Sequence, residues 1–305
     1  MRSKAQPPRK EIHTLHWSER RGTEGGERCS CMPDSLCGAR KVRESMRAAV
    51  DCYCGAGGAS VGLVSAGFDV RLAMDWDEDA ISAYRANHAH TALQMDLAHV
   101  PRAVDAIRSV GHVDVISGSP PCQDFSMCSD RRVEGARASL TVTFARVACA
   151  VHPRCVLIEN VPQMLVSDAY QDAKRMLVEA GYSVLELRVN SAACGVPQVR
   201  RRVFVIAVRD CDPVLLQKVR EEAETYSSMP REAKTVRDCL HTHADTYFYP
   251  ARSRHMPAVR STDKPAPTLT TGCLALPPSQ YTPRHDDAGS LGEAHVLSID
   301  DAARI

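Results

Sequence analysis

No stretch of these 305 residues has the apolar length of a membrane span. The N-terminus, Met1-Arg2-Ser3-Lys4, runs into proline, arginine and glutamate instead of an apolar signal core. These two absences predict a protein that is not secreted and works in the cytoplasm (nucleoid) or in a nucleus. A disulfide framework is missing too. The thirteen cysteines are odd in number, scattered and without a secretory context, so reduced thiols are expected. Cys29, Cys31 and Cys37 cluster without a fourth ligand at finger-like spacing, and no metal is expected. No internal repeat is present, and nothing is low in complexity beyond the first 48 residues.

What remains is an ordinary hydrophobic fraction of 44%, enough to bury one large core or two modest ones. The formal net charge of +1 hides an asymmetry. Residues 1–48 carry eleven Lys and Arg against six Asp and Glu, a surplus of five, which leaves the rest with four more acids than bases. The leader, 1–47, is either a basic arm that meets nucleic acid phosphates or only a solvated extension.

From residue 48 short apolar runs alternate with longer amphipathic stretches, the order of βαβ units in a parallel sheet covered by helices. Strands are predicted at Ala48–Tyr53, Asp69–Met74, Val113–Ser117, Cys155–Ile158, Tyr182–Val189 and Val203–Val208, with a further strand-like run at Leu93–Asp96. Helices are predicted at Ser60–Ala66, Asp77–Asn87, Pro101–Val110, Ala138–Val151, Tyr170–Ala180 and Pro213–Tyr226. The fold class is α/β, a doubly wound Rossmann-like sheet over 48–210. A smaller irregular region rich in Pro, Thr, His and Arg follows at 211–270, and 271–305 returns towards the first domain.

The first strand ends in Asp51-Cys52-Tyr53-Cys54-Gly55-Ala56-Gly57-Gly58, where glycines permit a tight turn and close approach to a nucleotide-like ligand. Twenty residues after Gly55, Asp75 is placed to accept from ribose hydroxyls, and Trp76 to lie against an adenine face. Asp96, after the third run, would accept from the adenine amino group. Each acid alone reads as a cap or loop residue. Three at successive strand ends, on the edge where such sheets bind ligands, read as one site.

The strand at Val113–Ser117 runs into Gly118-Ser119-Pro120-Pro121-Cys122-Gln123-Asp124-Phe125-Ser126, so a thiol emerges at that same edge from a polar, proline-stiffened loop. The strand after it ends in Ile158-Glu159-Asn160-Val161, bringing a carboxyl to the neighbouring strand end. Gln198-Val199-Arg200-Arg201-Arg202 precedes the last strand, and alternation would put Arg200 and Arg202 on one face.

These motifs, in this order, resemble the C5 cytosine-specific DNA methyltransferase family: the cysteine loop from Asp114 to Ser126, Glu159-Asn160-Val161, Gln198-x-Arg200-x-Arg202, and Ala80, Tyr84 and Asn87. The resemblance is continuous over 48–210 and patchy beyond, including Lys264-Pro265-Ala266-Pro267-Thr268-Leu269-Thr270-Thr271. It implies an enzyme that moves a methyl group from S-adenosylmethionine to carbon 5 of cytosine in double-stranded DNA, through a covalent adduct of Cys122 on a flipped base. Glu159 would hydrogen-bond or protonate N3 and Arg202 hold O2. Tyr53, Gly55, Gly57, Asp75, Trp76, Asp96 and Pro121 would line the cofactor, and Gln123, Ser126, Asn160 and Arg200 the DNA. Arg231, Lys234, Arg237, Arg252, Arg254, Arg260 and Lys264, interleaved with Tyr247, Phe248 and Tyr249, form the candidate recognition surface. Leu297–Ile305 resembles the start of the family's ninth motif and the tenth is absent, so this chain alone is expected to bind cofactor poorly. The alternatives are the same chemistry on RNA, or a non-catalytic nucleic-acid-binding remnant.

Overall fold

The computed structural model describes residues 47–121, 139–228, 234–240, 244–249, 258–269 and 287–298. Several expectations fall outside these residues: the leader with Cys29, Cys31 and Cys37; the loop with Cys122, Gln123 and Ser126; Arg231, Arg252 and Arg254; and 299–305. The described residues divide into two compact units, the first holding 47–121 together with Ser139–Leu157, the second holding the described residues from Ile158 onward.

The first unit alternates strand and helix: β1 (Arg47–Cys52), α1 (Gly58–Ser65), β2 (Phe68–Asp75), α2 (Glu78–Asn87), β3 (Ala92–Gln94), α3 (Val100–Ser109), β4 (Val115–Gly118), α4 (Ser139–Val151) and the start of β5 (Cys155–Asn160). Its strands lie in the order β3-β2-β1-β4 within a seven-stranded sheet, and β1 runs parallel to both β2 and β4. The start of β5 joins β4 through Cys155 N–H donating to the Asp114 carbonyl at 2.9 Å. β1 sits between two neighbours, which is why Ala48 to Cys52 are all buried and read as an unbroken apolar run apart from Asp51. Ala49, Leu63, Val70 and Val115 pack as one cluster, with Cys54, Ala73, Ile81, Tyr84 and Ala92 as another. Two helix starts follow their sequence signals: Asp77 accepts from Ala80 N–H at 3.0 Å to cap α2, and Ser167 accepts from Tyr170 N–H at 3.2 Å to cap α5 (Asp168–Glu179).

The second unit takes the end of β5, then α5, β6 (Tyr182–Asn190), β7 (Gln198–Val199), β8 (Arg201–Arg209) and α6 (Pro213–Ser228). Here the strand direction changes within the expected Rossmann-like sheet. β6 pairs antiparallel with β8 along its whole length, from Tyr182 against Arg209 to Asn190 against Arg201. The ten residues 191–200 between them are too few for a crossover that would bring the chain back parallel. Beyond α6, β9 (Thr246–Tyr249) is flanked by β10 (Ala258–Ser261) and by β12 (His295–Val296), while β11 (Ala266–Pro267) pairs with β7. Val236, Leu240, Tyr247, Tyr249, Ala266 and Leu297 form the core of this smaller layer.

The turn after β1 departs from ordinary backbone geometry at several positions. Tyr53, Gly55 and Gly57 take φ of 55°, 53° and 100°, so three residues of five occupy the left-handed region that favours glycine. A Cβ on Gly57 would stand 2.1 Å from Nε2 of His88, whereas the corresponding space at Gly55 is open. Gly57→Ala should therefore lower stability by about 1–3 kcal/mol or more, from backbone strain and the imidazole clash together. Thermal denaturation checks it. Adding His88→Ala should recover part of the loss and not all, because the strain at φ 100° stays.

Candidate cofactor and base site

The strand ends of the first unit bring the predicted cofactor residues to one edge. Asp75 closes β2 and is 8% exposed. Its Oδ2 accepts from Gly55 N–H at 2.9 Å and its Oδ1 from Asp77 N–H at 3.0 Å, so one carboxylate ties the glycine turn to the start of α2. A second tie comes from Cys54 N–H, which donates to the Met74 carbonyl at 3.1 Å. Tyr53 is buried, its ring edge-on to Phe144 at 6.2 Å and its hydroxyl donating to the Leu140 carbonyl at 3.3 Å. Burial is the main reason its phenol stays protonated far above its ordinary range. Trp76 leaves 61% of its surface exposed immediately after Asp75. Asp96 lies exposed beyond β3, where its Oδ1 accepts from Ala98 N–H at 2.9 Å in a local turn.

The loop towards Cys122 leaves from this edge as well. Ser119 N–H donates to the Cys52 carbonyl at 3.3 Å, so the residues after β4 are anchored beside the residue preceding Tyr53. Pro120 is buried and Pro121 half-buried. Two other thiols flank the turn, and burial first, with Asp51 next, pushes both up, Cys54 to about 12. Neither is a thiolate at neutral pH.

S-adenosylmethionine, implied by the motifs, can be tested against these residues. A carboxylate has about four lone-pair sites, and the two backbone donors leave Asp75 capacity for a ribose diol. The open space at Gly55 admits close approach of a ligand to the backbone, and Trp76 offers an exposed ring to a purine. The residues fit. At Gly57 the space its missing side chain leaves is filled by the His88 ring.

In the second unit, Glu159 and Arg202 come together. Arg202 Nε lies 3.1 Å from Glu159 Oε1, both only partly exposed, one at the end of β5 and the other near the start of β8. Asn160 is buried at 2%, and its Oδ1 accepts from Val161 N–H at 2.8 Å, which shapes the chain just after Glu159. Arg200 departs from the expected alternation. It lies between β7 and β8, and its carbonyl accepts from Ser191 N–H at 3.0 Å and Ser191 Oγ at 2.9 Å. β7 belongs to a different ladder from β8, so strand periodicity does not run through Arg200.

That ladder is formed with the Lys264–Thr271 segment singled out in the sequence. Ala266 N–H donates to the Pro197 carbonyl at 2.8 Å, Thr268 Oγ1 to the Val199 carbonyl at 2.9 Å and Leu269 N–H to Gln198 Oε1 at 3.3 Å. The aromatic part of the expected recognition surface is corrected. Tyr247, Phe248 and Tyr249 are 1%, 1% and 8% exposed and form the core of the small layer. Consecutive residues of β9 are all buried because both of its faces are covered, which removes them from any surface that stacks on bases. Arg237 is held by Asp245 at 2.8 Å and Asp263 at 2.6 Å.

The sequence reading gave no role to Asp51, Ser60 or His88. Asp51 and Ser60 meet by a 2.6 Å hydrogen bond across a strand-to-helix turn, and no periodicity signals such a pair.

Comparison with known proteins agrees with this arrangement. The family model described as C-5 cytosine-specific DNA methylase matches residues 48–268. Type II methyltransferase M.HgiDI of Herpetosiphon aurantiacus is 34% identical over 258 residues, covering 84% of this chain and 81% of the relative. Type II methyltransferase M.HindV of Haemophilus influenzae is 33% identical over 227 residues, covering 72% and 71%. Among solved structures, the Dnmt2 methyltransferase of S. pombe shares the fold, with a TM-score of 0.53 and 23% identity over 65% of this chain and 62% of that one. On the match of its motifs in order over most of its length, the chain belongs to the C-5 cytosine-specific DNA methylase family, enzymes that methylate cytosine in DNA from S-adenosylmethionine.

Proposed function

We propose that this chain methylates cytosine in double-stranded DNA with Cys122 as covalent nucleophile and with Glu159 and Arg202 as the pair that reads the ring's N3 and O2 edge. The observation that supports this most directly is the 3.1 Å contact between Glu159 and Arg202, contributed by two separate motifs. N3 and O2 are adjacent on the cytosine ring, and a carboxyl beside a guanidinium matches that edge.

Carbon 5 of cytosine is too weak a nucleophile to take a methyl group unaided. Addition of the Cys122 thiolate to carbon 6 pushes electron density through the ring and leaves an enamine whose carbon 5 is nucleophilic. The charge that accumulates on N3 and O2 is met by a proton or hydrogen bond from Glu159 and by the Arg202 guanidinium. The cofactor supplies an electrophilic methyl group on a sulfonium. Loss of the carbon 5 proton to a base then expels the cysteine by elimination and restores the aromatic ring. Reaching the ring requires the target base to leave the duplex, and Gln123, Ser126, Asn160 and Arg200 are assigned to holding the opened DNA. Tyr53, Gly55, Gly57, Asp75, Trp76, Asp96 and Pro121 are assigned to the cofactor, with Gly57 acting through its packing on His88. The region after α6 is assigned to sequence recognition.

A duplex carrying 5-fluorocytosine in a methylatable site should give a denaturation-resistant complex, since fluorine blocks loss from carbon 5 and strands the adduct. Cys122→Ala should abolish both the complex and turnover. Gel electrophoresis of the trapped species decides it, and methylation of the natural site without trapping would refute the covalent route. A matched RNA run in parallel separates the nucleic acids.

Asp75→Ala should weaken binding of S-adenosylmethionine by about 1–3 kcal/mol, since it removes the ribose acceptor. It also releases the Gly55 and Asp77 N–H groups, so the loss should reach the upper end of that range. Titration calorimetry on the folded variant measures it, and unchanged affinity rules the assignment out.

A further inference from the structure

The buried end of β1 carries an acid that the proposed chemistry leaves unused. Asp51 is 1% exposed. Its Oδ2 accepts from Ser60 Oγ at 2.6 Å, the Ser60 hydroxyl lies 2.8 Å from the Tyr84 hydroxyl, and Tyr84 lies 3.1 Å from Nδ1 of the half-buried His90. Its Oδ1 is buried and meets no donor. A dry, unpaired carboxylate oxygen is costly, whereas a neutral carboxylic acid at the same place is not. The charged or titratable groups that bear on Asp51 are Asp75 from the end of β2, Cys52 and Cys54 from its own strand and turn, and Tyr84 from α2. None of these is a cation. Burial is the main cause that raises the Asp51 carboxyl, to about 6, with the Ser60 hydrogen bond opposing it and Asp75 adding to it.

Asp51 lies just before the left-handed turn of Tyr53, Gly55 and Gly57. The methyl donor brings a sulfonium and an ammonium against one carboxylate, a net positive charge. Its demethylated product lacks the sulfonium and is neutral overall. We propose that Asp51 is a charge-sensing positioning residue beneath the cofactor turn, held at the edge of ionisation in the ligand-free protein and driven to the ionised form when the cationic methyl donor binds, so that the donor is held in preference to the demethylated product. The proton goes to solvent, and the hydrogen-bonded series Ser60, Tyr84, His90 leads outward from the acid. This inference rests on the reading of the turn as the cofactor site.

The sign follows from the acid's elevated position. Below about pH 6 the carboxyl is protonated in the empty protein, and donor binding must displace that proton. Donor affinity should therefore rise as pH rises through that region. Titration calorimetry of the full chain at pH 6, in two buffers of different ionisation enthalpy, should show proton release with S-adenosylmethionine and much less with S-adenosylhomocysteine. Between pH 7 and pH 5 donor affinity should fall roughly tenfold, against less than about threefold for the product, tenfold being the fall expected when the acid stays ionised down to pH 5 in the donor complex. Asp51→Asn should abolish both the proton release and this pH dependence. Ser60→Ala removes the donor that holds the acid down and should move the midpoint to higher pH, which a purely structural role would not do. If wild-type protein binds the donor at pH 6 without releasing a proton, or if release persists in Asp51→Asn, the inference is overturned while the cofactor assignment stands. Failure to bind either compound at pH 7 overturns both.

Discussion

One carboxylate organises the ligand edge of the first unit. Asp75 receives the N–H groups of Gly55 and Asp77, two donors that the turn and the helix start would otherwise leave unpaired near a buried strand end. Because β2 runs parallel to β1, Asp75 arrives beside the turn that follows β1, and the parallel pairing itself sets that meeting. The strained backbone at Tyr53 persists because neighbours pin it on each side: its ring against Phe144, Cys54 to Met74, Gly55 to Asp75, and Ser119 to Cys52. Without Asp75 the turn loses a fixed point and not merely a ligand contact.

The second unit solves a different problem. Arg202 has to be delivered to Glu159, and β8 is held by antiparallel pairing to β6 along nine residue pairs. A guanidinium on a strand end of this kind is positioned by backbone hydrogen bonds, which restrict it more than a loop would. The ion pair satisfies both charges, so neither side chain is left exposed to the cost of an unpaired, partly desolvated charge. Binding of a base edge would then exchange one set of hydrogen bonds for another.

Much of this was legible in the residues. β1, β2 and β4 announced themselves as short apolar runs ending in Gly, Asp or Pro, and α2 by Asp77 ahead of its acidic first turn. Glu159 and Arg202 were found through motif order, yet nothing in their spacing, more than forty positions apart, shows that they touch. Local periodicity also failed to reveal pairing partners. It could not tell that β6 would run against β8, that β7 would leave the main sheet to join β11, or that Tyr247, Phe248 and Tyr249 would be covered on both faces. The Asp51 pair with Ser60 was hidden for a related reason: a buried polar contact depends on a turn's exact path, and composition carries no trace of it.

The short ladder between β7 and β11 bears on how the chain tolerates changes in length. Gln198–Val199 and Ala266–Pro267 pin to each other the two ends of a stretch that includes β8 and α6. The entropic cost of closing such a stretch grows only slowly with its length. The part of that stretch beyond β8 can therefore change in length at little entropic cost, while Arg202 keeps its backbone pairing on β8.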